Sequence, residues 1–199
     1  MAAGDFPEAM SDTATVLAAL RACGAETVEH PGGTLYAHLV RVFERLGRHE
    51  RSPQVQWAGL THAFYGTDGF DVHLQDPSDR EPLRRLVGPE TELLVYRYAG
   101  CDRSRSWPTL AENRQVWSRF DGHVETLDEA DIRDFVDLSL VNELDVVEQS
   151  PLIAQKYGDY FRKLFAGWRS LGSPSVMADA DEVLARVNGD RSRAGRRPV

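Results

Sequence analysis

Apolar residues recur at helical spacing along most of this chain, and turn residues punctuate the intervals. Leu35, Leu39, Val42, Phe43 and Leu46 fall on one stripe, which opens after Pro31-Gly32-Gly33-Thr34 and closes at Gly47. Ser11-Asp12 precedes a periodic run, Thr13–Cys23, that Gly24 stops. Ser52-Pro53 starts another run that reaches about Phe64, with proline at the favoured first position. Apolar residues surround that run on all sides, which predicts a central, buried helix. Further helices are predicted over Asp79–Val87, Pro89–Tyr98, Asp128–Gln149, Ile153–Trp168 and Ala178–Val187. Tyr65 to Pro82 reads as loop, and Gln115–Thr126 alternates about Asp121-Gly122 as a short hairpin does.

These elements predict a mainly α fold, a single-domain helical bundle with at most a short β-hairpin. The domain is expected to span residues 1–188. Residues 189–199 mix Gly, Ser and Pro with arginine and read as a disordered, Arg-rich tail. With 199 residues the chain has room for one substantial core.

Charge changes the picture of its partners. The tail holds four arginines against one aspartate, a net +3 within the chain's −8, which leaves −11 on the body. A surface that acidic repels a phosphate backbone, so no nucleic-acid partner is expected. No apolar run approaches the ~20 residues that cross a bilayer. Met1 to Met10 carries Asp5 and Glu8 where a secretory leader would be basic. Only two cysteines occur, Cys23 and Cys101, far apart and without a CxxC partner. A reducing, cytoplasmic setting without a membrane partner follows as the expectation.

The candidate chemistry lies in the histidines. His49 sits in the polar run Arg48-His49-Glu50-Arg51 and reads as a solvated surface residue, and His73 and His123 fall on loops or short strands. His38 differs, because it borders the apolar stripe of its helix. His62 is set among Ala58, Gly59 and Ala63, small residues that let another helix or a ligand come close. Two imidazoles on adjacent inward-facing stripes can meet, either as hydrogen-bonded core residues or as a site. A third group joins them. Ile132, Val136, Ser139, Glu143, Val146 and Val147 fall near one line of the 128–149 helix, with Asn142 at its border. A carboxylate aimed into a core needs a partner or a cation. His38, His62 and Glu143 make a chemically sensible metal set, and pairing of Glu143 with Arg103 or Arg41 is the alternative.

Tyr36-Ala37-His38-Leu39, Leu46-Gly47 and Trp57-Ala58-Gly59-Leu60-Thr61-His62-Ala63 together resemble the opening of the HD superfamily of metal-dependent phosphohydrolases. Its RelA/SpoT-type alarmone hydrolase domains are the nearest named cousins. Leu83–Val95 and Leu138–Asp145 resemble later segments of those domains, so the likeness covers roughly Thr34 to Gln149. With His30-Pro31-Gly32-Gly33 and His62-Ala63-Phe64-Tyr65-Gly66-Thr67, the chain also resembles a group of uncharacterised HD-like proteins. The departures are specific. The aspartate of the His-Asp pair is Ala63, the last-ligand position is Asn142 with Glu143 beside it, and Gly66-Thr67 replaces an acidic pair. The resemblance therefore implies an HD-like bundle with a remodelled pocket rather than alarmone hydrolysis.

In that pocket His38, His62 and Glu143 would hold a weakly bound divalent metal, Fe, Mn or Zn. His62, Tyr65 and Glu143 would carry catalysis, and His30, Thr67, Arg103 and Asn142 would bind substrate. The expected function is a small-molecule enzyme. Its chemistry would be either metal-assisted hydrolysis or oxygen chemistry, or acid–base catalysis by His and Tyr. A ligand-binding module that kept the cavity and lost the chemistry is the alternative.

Overall fold

A computed structural model describes residues 12–70 and 72–194, with side chains through residue 187. Met1 to Met10, where no leader is expected, and the tail residues 195–199 lie outside the described residues. The fold is mainly α, with two small two-stranded sheets beside the helices. Helix α1 (Thr13–Ala22) leads into a hairpin, β1 (Glu29–His30) and β2 (Gly33–Thr34), which opens α2 (Leu35–Arg48). Next come α3 (Pro53–Thr61), α4 (Glu81–Val87) and α5 (Pro89–Gly100). Two short helices, α6 (Arg103–Ser106) and α7 (Leu110–Asn113), flank a 3-10 turn at Trp107–Thr109. The second hairpin, β3 (Gln115–Trp117) with β4 (Val124–Thr126), precedes α8 (Glu129–Gln149), α9 (Pro151–Gly167) and α10 (Pro174–Ala194).

Capping explains most helix starts. Asp12 accepts from Thr15 N at 2.7 Å, Thr34 from Ala37 N at 3.2 Å, Ser52 from Val55 N at 3.4 Å and Asp128 from Asp131 N at 2.8 Å. Each satisfies a backbone donor that the first turn leaves free.

Several boundaries differ from the sequence expectation. The first hairpin, at Glu29–Thr34, stands where the sequence predicts only a turn. Gly32 makes it possible with φ +80° and packs so closely on α8 that a Cβ would lie 2.6 Å from Gln149 Oε1. Helix α3 stops at Thr61 rather than Phe64, and His62 is its cap residue. The helical stretch 103–113 has no apolar period long enough to announce it. Helix α10 runs through Ala194, into the stretch expected to be tail. His49 is not solvated: its Nε2 lies 2.8 Å from Asp179 Oδ2, and it helps Arg45 tie α10 to α2.

Helix α8 is the axis, packed against α2, α3, α5, α9 and α10. Phe135 to Asp145 is buried without a break, polar residues included. Three of its carboxylates are thus taken out of water, and each finds a partner on a neighbouring element. Asp137 accepts from Ser173 N (2.8 Å) and Ser173 Oγ (2.6 Å), and Arg51 Nε lies 2.7 Å away. Of the other two, Asp145 meets His38 and Glu143 meets Arg103.

Close approach of α2 and α3 brings His38 and His62 together. Gly59 makes it possible, since a Cβ there would overlap the Leu46 side chain and sit 3.2 Å from Val42 Cγ1. Gly59→Ala should therefore cost about 1–3 kcal/mol by overpacking, read by thermal unfolding as a Tm lower by roughly 3–10 °C. An unchanged Tm would mean that the two helices do not meet this closely.

Candidate functional site

His38 projects from the buried stripe of α2, and His62 from the end of α3, both into the space beside α8. His62 Nδ1 lies 2.8 Å from the Gly59 carbonyl, which can only accept, so Nδ1 carries the hydrogen and Nε2 keeps a lone pair. His38 Nδ1 lies 2.6 Å from Asp145 Oδ2, again an acceptor. The remaining His38 atom, Nε2, faces His62 Nε2 at 3.3 Å and Asn142 Oδ1 at 3.0 Å. The Asn142 amide is oriented by its own NH2 group, which donates to Glu143 Oε1 at 2.9 Å.

Three lone pairs would thus meet with no hydrogen between them. A hydrogen or a cation shared among His38 Nε2, His62 Nε2 and Asn142 Oδ1 would satisfy all three. Arg41 grips the Asp145 carboxylate that holds His38, with Nε at 2.6 Å and Nη2 at 2.9 Å. Burial pushes the Asp145 carboxyl up, but hydrogen bonds from His38 and Arg41 outweigh it and hold it below its usual value. Burial, followed by the charge on His38, lowers His62 to about 3 and His30 to about 4. Both are neutral near pH 7.

His30, on β1, stacks on His38 with ring centroids 4.1 Å apart. Arg41 Nη2 donates to the Pro31 carbonyl at 3.1 Å, fixing this hairpin over the site. From the other side, Arg103 Nη1 lies 2.8 Å from Glu143 Oε1, and its Nη2 donates to the Tyr98 hydroxyl at 2.6 Å. Of these groups, His30, His38, His62, Arg103, Asn142 and Glu143 line a cavity of about 490 Å³, within the range of small-molecule sites. Its floor is polar, and Phe70, Trp107, Tyr157, Tyr160 and Phe161 give it an aromatic wall.

Of the residues singled out from sequence, His30, His38, His62, Thr67, Arg103, Asn142 and Glu143 all line this cavity. Tyr65 does not. Its hydroxyl donates to Glu92 at 3.0 Å, within a separate buried cluster closed by Arg80, because the chain turns at Gly66 (φ +78°) directly after it. Glu143 is at the site but does not meet the histidines, since Arg103 and Asn142 take its carboxylate. Among the described residues, no three His, Cys, Asp or Glu side chains gather where they could hold a metal. The atoms that do fit a divalent ion are His38 Nε2, His62 Nε2 and Asn142 Oδ1. Both histidines are anchored through Nδ1, as metal-bound imidazoles are. All three donors are uncharged, so such a site would be weak. Sequence reasoning missed Asp145 and the α9 wall. Asp145 stands three residues after Asn142, on the same side of α8, and that spacing was its one available signal.

Acidification tests the neutral state of His62. Below about pH 6.5, the unfolded chain binds a proton that folded His62 refuses, so stability falls as pH falls. Asp145 adds its own loss only below about pH 4. Urea unfolding in EDTA between pH 7 and 5 should show His62→Gln with a shallower slope, by up to about 1.4 kcal/mol per pH unit. Equal slopes would mean that folded His62 takes up the proton.

Over residues 19–103 the sequence is similar to the family described as a domain of unknown function, DUF6817. That stretch takes in His30, His38, His62 and Thr67, reaches Arg103, and stops before Asn142, Glu143 and Asp145. No curated protein and no solved structure matches the chain significantly.

Proposed function

We propose that this protein is a small-molecule enzyme working by acid–base chemistry at the His38–His62 pair. The observation that carries this reading is the meeting of two imidazole Nε2 atoms at 3.3 Å inside a ligand-sized cavity. His38, oriented by Asp145, holds the proton, and neutral His62 is the base beside it. Asn142 fixes the line between them. Glu143 and Arg103, paired with each other at 2.8 Å, orient the substrate. Tyr65 has no part in this reading.

The resemblance to HD-like hydrolases supports the same pair of histidines. A weakly held Fe, Mn or Zn ion on His38, His62 and Asn142 is the second reading, favoured by the three converging lone pairs. It would polarise a substrate oxygen and acidify a water, for hydrolysis or oxygen chemistry. A ligand-binding module without chemistry is the third, favoured by the ion pairing of Glu143 and Asp145, which leaves neither free as a base.

The setting we propose is cytoplasmic, with no nucleic-acid or membrane partner. Its supports are the acidic body, two free cysteines, and described helices none of which is long and apolar enough to cross a membrane.

The test is incubation of the protein with a small-metabolite extract, with EDTA or with added Mn, Fe or Zn, followed by mass spectrometry. The parent should form a product in EDTA, and His38→Gln and His62→Gln should lose it by about a hundredfold or more. Product only with added metal would favour the second reading. A metabolite retained without turnover would favour the third.

A further inference from the structure

The floor of the cavity is already supplied with anions. Asp68 and Glu143 stand there against Arg103: Glu143 Oε1 lies 2.8 Å from Arg103 Nη1, and Asp68 accepts from Arg103 N at 2.9 Å. The mouth is different. The chain has only two lysines, Lys156 and Lys163, and both lie on α9, the helix that contributes Ile153, Tyr157, Tyr160 and Phe161 to the wall. They are two turns apart and therefore on one side of the helix. Lys156 Nζ sits 4.8 Å from the centroid of the Tyr157 ring, one of the rings that line the cavity. Among the described residues it has no carboxylate partner, whereas Arg162 on the same helix pairs with Asp159 at 3.1 Å. Tyr157 and Tyr160 are half-exposed here, and Leu152, one turn before Lys156, is 77% exposed.

A cation beside an aromatic ring, on a protein of net charge −8, is a local reversal of the field. We propose that the cavity admits an amphipathic organic anion. Its planar apolar body lies against the aromatic wall, and its anionic group stays at the mouth on Lys156. This rests on the reading of the cavity as a small-molecule site and names the class of molecule it takes. An anion driven to the floor would meet two carboxylates, both already engaged with Arg103. At the mouth it meets an ammonium with no competing partner and keeps most of its hydration, so little desolvation opposes binding. Lys156 then determines specificity without touching the reacting atoms.

Two dyes that differ only in charge test it: 1-anilinonaphthalene-8-sulfonate and its uncharged parent, N-phenyl-1-naphthylamine. Fluorescence titration of the full chain should show both binding and displacing each other. Lys156→Gln should weaken the sulfonate about threefold and Lys156→Glu about tenfold, with the neutral dye unchanged. The difference should shrink in 0.5 M salt, which screens an exposed charge. Equal binding of the sulfonate to parent and Lys156→Glu would overturn the proposal while leaving the cavity reading intact. Sulfonate binding that the neutral dye does not displace would overturn it too, by putting the anion elsewhere. If neither dye binds, the small-molecule reading falls with it.

Discussion

The contact between His38 and Asp145 is the constraint on which the rest of the centre depends. It joins residues 107 apart in sequence, inside the core, and it links α2 to α8. Neither group could be left alone there, since an unpaired buried carboxylate costs several kcal/mol. Arg41, one turn further along α2, completes the pairing and carries it to the Pro31 carbonyl. One carboxylate thereby sets the ring orientation of His38 and the position of the hairpin that stacks His30 on it.

Helix α8 shows the same physics put to two uses. At Asp137 the buried carboxylate meets Ser173 and Arg51 and fixes the approach to α10, away from the cavity. At Glu143 and Asp145 the carboxylates hold Arg103 and His38 at its edge. Well-packed apolar residues at such positions are often as stable or more so. The polar spine of α8 therefore has no rationale in stability alone, and at the cavity end its product is an oriented pair of imidazoles.

The cavity is divided by origin. Helices α2, α3 and α8 and the first hairpin build a polar floor whose hydrogen bonds leave few orientations open. Trp107 and the face of α9 build an aromatic wall, with Lys156 beside its Tyr157. The histidine pair and the aromatic wall thus reside on different elements, so the wall can change without disturbing the pair.

Much of the fold was legible in the sequence because caps and periodicity are local. Asp12, Ser52 and Asp128 each accept the backbone donor that their position predicted. The four-residue helices α6 and α7 are too short for a period, and the Glu29–Thr34 hairpin too short for alternation. The meeting of His38 with His62 was also legible, since each stood on an inward face with small residues opposite. What periodicity could not decide was the partner. Asn142 and Glu143 are neighbours about 100° apart on a helix buried all round, so either could have met the histidines. Arg103, arriving on a short helix with no sequence signal, took the glutamate and left the amide. Tyr65 follows a helix end, where the turn at Gly66 sets direction. Sequence by itself determined which residues face inward. Only the tertiary structure decided what each one meets there, because pairing in a core depends on elements distant in the chain.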